Sequence, residues 1–227
     1  MLKNYFLVTI RNLFKNGFYS FINISGLAIG ITCSILILLW VADEVSFDKF
    51  HPKSDRLYQV YVNAYFDGKI NTWRSVPLPT YEGMKTADVH IKHSLVTDWG
   101  GKHLLTATET DNRIIKNGFF VSEEFLEMFE FPLVTGNAEQ VLDDPRSIVI
   151  TQSLAKTLFG DQDPINQMIR IDNDQELKVS GVLKDIPKNS SFQFDYLMTW
   201  KFREQISEWV KRNSTNWGNY SFQVYVE

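Results

Sequence analysis

The chain has a single cysteine among its 227 residues, Cys33, and only four histidines, His51, His90, His93 and His103. A lone cysteine excludes any disulfide within the chain, so stability has to come from the packed core. Catalytic motifs are missing as well. There is no G-x-x-x-x-G-K-S/T loop to cradle phosphates, no G-x-S-x-G elbow and no H-E-x-x-H zinc helix. His90 and His93 would share a face only on a helix; the alternation around them is strand-like, which points them to opposite faces and disfavours a metal site. Asp172-Asn173-Asp174 opens like an EF-hand loop, but Leu177 and Leu183 stand where that loop needs glycine and glutamate, which rejects calcium binding of that kind. No catalytic residue, cofactor or metal ligand is therefore assigned.

Acidic residues are absent from the first 42 positions, which carry Lys3, Arg11 and Lys15. The whole chain carries −4 and this segment +3, so residues 43–227 carry −7. An acidic globular part without a basic stripe argues against nucleic acid, whose binding requires cations against phosphate. Composition is otherwise ordinary, 44% apolar and 22% charged, which argues against general disorder.

Between Lys15 and Asp43 lie 27 residues without a charge, most apolar over 24–42 (ISGLAIGITCSILILLWVA). About 20 apolar residues suffice for a helix to cross the hydrocarbon core, and the segment has no polar face. A cleavable signal peptide has a shorter apolar region and a small-x-small site, and neither fits here. The expected organisation is a cytoplasmic amphipathic helix over 1–16, with Leu2, Phe6, Ile10 and Leu13 at helical spacing, and a transmembrane helix over 17–42. Cations before the span and Asp43, Glu44 and Asp48 after it place the N-terminus in the cytoplasm and residues 43–227 outside, periplasmic or extracytoplasmic. Gly26 and Gly30 form a G-x-x-x-G pair that lets another helix approach, so both are candidates for helix packing.

The exported part alternates strands and helices without a strict βαβ rhythm, which indicates an α+β class. Strands are expected at 56–65, near Lys69–Trp73 after the Asp67-Gly68 turn, at 90–96, 103–108, Arg113–Val121, Ser147–Thr151, 168–172, 176–183, 193–200 and 220–226. Helices are expected over 79–85, after a Ser122 N-cap, and over Gln152–Phe159 up to Gly160. The last residues, QVYVE, stand inside an apolar alternation, so the domain is expected to be truncated at its C-terminal end. The six tryptophans offer a possible binding groove, against the plainer alternative of core packing.

Four stretches, taken in order, resemble a known family: SFDKFH with DRLYQV at 46–60; FLEMFEFPL at 125–133 followed by Gly136; SIVITQSLAK at 147–156 running into FGD and DPI; and VSGVLKDIPKNS at 179–190. With these the chain resembles the N-terminal segment of a MacB/FtsX-type ABC transporter permease, its first transmembrane helix followed by the periplasmic core domain. Asn166 stands where the family usually has glycine. The resemblance implies a two-lobed mixed α/β exported domain with a second lobe inserted at about 144–200. It implies further membrane spans downstream, a permease dimer or a duplicated second half, and a separate cytoplasmic ABC ATPase subunit that hydrolyses ATP. The chain itself is then no enzyme; its membrane part meets lipid, and residues 47–58 are a transmission linker, with Phe47, Asp48, Phe50, His51, Arg56 and Tyr58 as the residues of interest. The competing reading is a single-span, membrane-anchored extracytoplasmic binding or sensor module. A tethered enzyme using a carboxylate pair such as Asp161 and Asp163 is disfavoured by the missing motifs.

Overall fold

A computed structural model of the protein describes residues 2–87 and 90–227, with side chains from residue 4 onward. Met1, and the Leu2 and Lys3 side chains of the expected surface helix, lie outside the described residues. The chain divides into two compact units, Met1–Phe47 and Asp48–Glu227.

The first unit is two helices, α1 (Leu2–Lys15) and α2 (Gly17–Ser46). The 30 residues of α2 span about 45 Å at the usual rise per residue, and its most apolar window has a mean hydropathy of 2.3. The helix is therefore long and apolar enough to cross a membrane. It continues past the expected end at Ala42, through Asp43 and Glu44, because the hydrogen-bond ladder of a helix does not stop where lipid does. Its two mid-span hydroxyls bond back one turn, Thr32 Oγ1 to the Ala28 carbonyl at 2.8 Å and Ser34 Oγ to that of Gly30 at 2.9 Å. Neither of these two hydroxyls is thus an unsatisfied donor in an apolar medium.

The second unit runs β1 (Tyr58–Gln59), β2 (Val62–Phe66), β3 (Lys69–Trp73), α3 (Pro79–Ala87), β4 (Ser94–Thr97), β5 (Gly101–Ala107), β6 (Arg113–Val121), α4 (Phe125–Phe129), β7 (Leu133–Thr135), β8 (Ser147–Thr151), α5 (Gln152–Phe159), β9 (Met168–Ile171), β10 (Gln175–Leu183), β11 (Tyr196–Thr199), α6 (Trp200–Ile206), α7 (Glu208–Asn213) and β12 (Gln223–Val226). Strands β2 and β3 form a separate hairpin; the others belong to one mixed sheet. Within it β6, β11, β8, β10, β9 and β5 pair in turn, and β5 pairs back onto β6, closing a ring. Strands β4, β12 and β1 extend from β6. The pairs β8–β10 and β6–β11 are parallel.

The central strands are apolar on both faces because both are covered. Ile148 and Ile150 of β8, with Tyr196 and Met198 of β11, enter one cluster together with Leu154 and Leu158 of α5. Val149 and Leu197, from the same strands, enter a second cluster built around phenylalanines 119, 125, 129, 131, 192 and 194. The segment 144–200, expected as an inserted lobe, thus supplies β8 to β11 to the common sheet and side chains to both clusters.

Several local expectations are corrected. The strand read over 56–65 is two strands in different sheets, β1 against β12 and β2 against β3, since alternation carries no record of which partner a strand takes. Ser122 does not cap α4; its hydroxyl accepts from the Val96 amide at 3.2 Å, tying α4's approach to β4. The strand expected over 90–96 begins only at Ser94, and β7, α6 and α7 were not anticipated. Asp172-Asn173, both with positive φ, form the tight turn between β9 and β10.

Candidate coupling segment

Residues 48–57 follow the apolar helix, and turns rather than a strand or helix shape them. The amides of His51, Ser54 and Arg56 bond within these turns, whereas that of Asp48 and several side chains take partners far along the chain. Asp48 adopts a left-handed backbone (φ 57°), a conformation Asp tolerates better than most residues. Its amide donates to the Asn189 carbonyl at 2.9 Å. Its carboxylate accepts from the Ser191 amide at 2.8 Å and the Ser191 hydroxyl at 2.5 Å.

One turn later His51 is only 3% exposed. Its Nδ1 lies 2.7 Å from the Phe129 carbonyl, which can only accept, so Nδ1 carries the proton. The ring is enclosed by aromatic neighbours, 4.0 Å from Phe50, 4.9 Å from Phe131 and 5.3 Å from Phe129 between centroids. Nε2 is buried without a hydrogen bond, and Asp48 Oδ1 stands 3.9 Å away. Burial pulls the imidazole pKa below its ordinary value, against the opposing pull of the Phe129 carbonyl and Asp48. His51 is therefore neutral at pH 7, with Nε2 as a bare acceptor.

Lys53 completes the attachment. Its Nζ donates to the Glu127 carbonyl at 2.8 Å and lies 3.0 Å from Glu130 and 3.5 Å from Glu227. Arg56 reaches Glu227 at 3.6 Å. Phe50 and Leu57 pack against the phenylalanine cluster. A cavity of about 310 Å³ beside the segment is lined by Asp48, His51, Gln59, Ser191 and Tyr225 among others.

Of the residues singled out from sequence, Asp48, Phe50, His51 and Arg56 thus converge on α4, the 189–192 loop and the end of β12. Tyr58 enters β1 by its backbone, but its side chain is exposed and bonds only locally, to the Asp55 carbonyl. Phe47 belongs to the helical unit, as the residue that caps α2. Sequence reasoning passed over Lys53, whose partners lie 74 and more positions away and leave no local signal. Gly26 and Gly30 sit on α2 with nothing within 4 Å of where a Cβ would stand, so both are open to an approaching helix. His93 meets Glu127 at 3.2 Å, and among the described residues no group of three or more metal-ligating side chains assembles.

An N-terminal helix long and apolar enough to cross a membrane, followed by a mixed α/β domain, is the architecture of a membrane-anchored protein. The chain belongs to the family of MacB-like periplasmic core domains, which its residues 20–227 match. Solved structures share the fold, two of them as follows. A domain assigned to a permease protein of Porphyromonas gingivalis aligns with a TM-score of 0.64 at 22% identity, covering 78% of this chain and 76% of that one. The periplasmic region of MacB from Actinobacillus actinomycetemcomitans aligns with a TM-score of 0.53 at 12% identity, covering 77% and 74%. No curated protein matches the sequence.

Proposed function

We propose that this chain is the front part of a permease subunit in an ABC transporter of the MacB/FtsX type, and that residues 48–57 carry ATP-driven movement of α2 into the extracytoplasmic domain. The observation that carries the proposal is the fixing of this segment. A flexible tether dissipates displacement, whereas Asp48, His51 and Lys53 each bond to backbone far along the chain. Each such bond contributes about 1 kcal/mol, and together they make the first turns after the helix part of the domain.

In this reading the energy comes from a separate cytoplasmic ABC ATPase. The cations before α2 keep the N-terminus inside, α1 lies on the inner membrane surface in contact with lipid, and residues 43–227 stand outside. Gly26 and Gly30 admit a neighbouring helix of the same assembly, from a second permease copy or a duplicated half. In this reading residues 144–200, with β8 to β11 and α5, are the family's inserted segment, built into the common sheet.

The test is to co-express the full-length protein with its ATPase in membranes and follow hydrogen exchange of the extracytoplasmic domain with and without ATP. An ATP-dependent change that is lost in the Asp48→Ala/His51→Ala/Lys53→Ala variant, with copurification of the ATPase retained, supports the reading. A domain that responds to ATP equally in both proteins removes the coupling role of the segment. Failure to copurify any ATPase removes the transporter assignment.

A further inference from the structure

Residues 213–226, NSTNWGNYSFQVYV, hold no charge, and their first nine residues are asparagine, serine, threonine, glycine, tryptophan and tyrosine. Such composition suits adaptable recognition, with rigid rings for contact area and amides and hydroxyls for hydrogen bonds. The loop is built around a buried hub, Asn213. Asn213 Oδ1 accepts from Asn216 Nδ2 at 2.9 Å and Asn219 Nδ2 at 2.8 Å, while its own Nδ2 donates to the Trp209 carbonyl at 2.8 Å. Asn216 Oδ1 in turn accepts from the Gly218 amide at 2.9 Å, and Asn219 Oδ1 from the Ser221 hydroxyl at 2.5 Å.

This frame presents aromatic rings that are fixed and yet open. Trp217 is 61% exposed, with its ring reaching α3, where a Cβ on Gly83 would meet it at 3.8 Å. Tyr220 is 38% exposed and stands edge-on to Trp73 at 5.4 Å between centroids. Trp99 is 50% exposed, and its Nε1 donates to the Ser221 carbonyl at 3.0 Å. The indole N–H of Trp99 is thus satisfied within the protein, which leaves its apolar surface to solvent. A ring held this way loses little conformational freedom when a ligand stacks on it.

We infer that the 213–221 loop, with Trp99 and Trp73 beside it, binds a neutral saccharide chain. Pyranose rings present apolar C–H faces that stack on aromatic rings and equatorial hydroxyls that pair with amides. The exposed rings supply the first chemistry and the second N–H of the Asn216 and Asn219 amides, beyond the one each gives Asn213, supplies the other, while the absence of charge within 213–221 disfavours anionic or cationic ligands. Three of the six tryptophans noted in the sequence, Trp73, Trp99 and Trp217, are gathered here, whereas Trp200 is buried in the core. The inference does not rest on the transport role, since a static domain could bind in the same way.

The test uses the full chain in detergent micelles, titrated by calorimetry with chitohexaose and, separately, with cellohexaose. Saturable binding of either probe is expected. Trp217→Ala and Tyr220→Ala should each weaken it by about tenfold, Trp217→Phe should largely retain it, and Tyr65→Ala, at the turn end of the β2–β3 hairpin away from Trp73, should leave it unchanged. Circular dichroism of each variant, unchanged from the parent, keeps misfolding out of the comparison. Absence of saturable binding by both probes overturns the inference. So does binding that ignores the loop variants, or loop variants that alter only adsorption to phosphatidylcholine vesicles.

Discussion

The helix α2 and the phenylalanine cluster under the sheet use the same kinds of side chain in opposite ways. Phe21, Ile29, Leu36 and Leu38 of α2 are all exposed, and no residue of that helix is buried within the protein. Phe125, Leu126 and Leu183 of the second unit are at most 1% exposed. The difference lies in pattern. Along α2 apolar residues surround the helix, so no face can turn toward a protein core, and the burial they need must come from lipid. In the domain, apolar residues come in short strand-length runs and one-sided helices, so two layers of protein can cover them. Hydrophobicity alone did not assign the solvent; the uninterrupted length did.

The largest expected effect sharpens this contrast. Phe125 is fully buried and packs against Phe129, Phe131, Phe192 and Phe194, with ring centroids 5.0 to 6.1 Å away. Phe125→Ala should destabilise the domain by about 3–5 kcal/mol, read as a lowered midpoint of urea unfolding of the full chain in micelles. Phe21→Ala on α2 should leave that midpoint unmoved, and a comparable loss there would overturn the assignment of α2 to lipid. Next comes Leu36→Asp, at mid-span. It should disfavour insertion of α2 by about 3 kcal/mol, lowering the membrane-extracted fraction while the domain's unfolding midpoint stays constant.

A smaller effect probes how tightly the sheet is covered. Gly118 of β6 lies opposite Tyr196 of the parallel strand β11, and a Cβ there would fall 2.2 Å from the buried tyrosine ring. Gly118→Ala should destabilise by about 1–3 kcal/mol through overpacking, whereas Gly26→Ala on α2, where nothing lies within 4 Å, should have no effect on unfolding. Asp48→Ala follows, at about 1 kcal/mol, because the exposed Ser191 groups it leaves can turn to water. Its signature should be faster amide exchange confined to residues 48–54 and 189–192.

Much of this arrangement was readable from local sequence, and the failures share one cause. Strands β3, β6 and β8 and helix α5 fall where their patterns put them; Thr151 accepts from the Leu154 amide as N-cap, and Gly160 takes a positive φ after the helix. The hairpin turn at Asp67-Gly68 is set by residues that tolerate left-handed backbone. In contrast, α6 and α7 have their apolar anchors, Trp200, Phe202 and Val210, split by a Ser207 cap into pieces too short to show a period. The 48–57 segment was visible as a turn-rich, aromatic stretch. The role of Lys53 was not, because Glu127, Glu130 and Glu227 reach it only through the folded chain.

The smallest expected effect is a pH dependence that separates the coupling segment from the rest of the domain. The pKa of His51 is pulled down by burial in the folded state, while in the unfolded chain it returns to about 6.5. Below that pH the unfolded chain takes up a proton that the folded protein refuses, so its stability is full above pH 6.5 and declines as the pH falls. The charged groups that oppose this decline are few. Asp48 Oδ1 stands 3.9 Å from Nε2, and the remaining contacts identified at the ring are aromatic or, at Nδ1, a carbonyl. His51→Asn keeps a donor for the Phe129 carbonyl and removes the titration. Its unfolding free energy should fall less steeply than that of the parent between pH 7 and 5, while acidic residues shared by both proteins contribute equally. Parallel slopes in the two proteins would mean that the imidazole titrates alike in both states, and that the segment is not seated on the phenylalanine cluster.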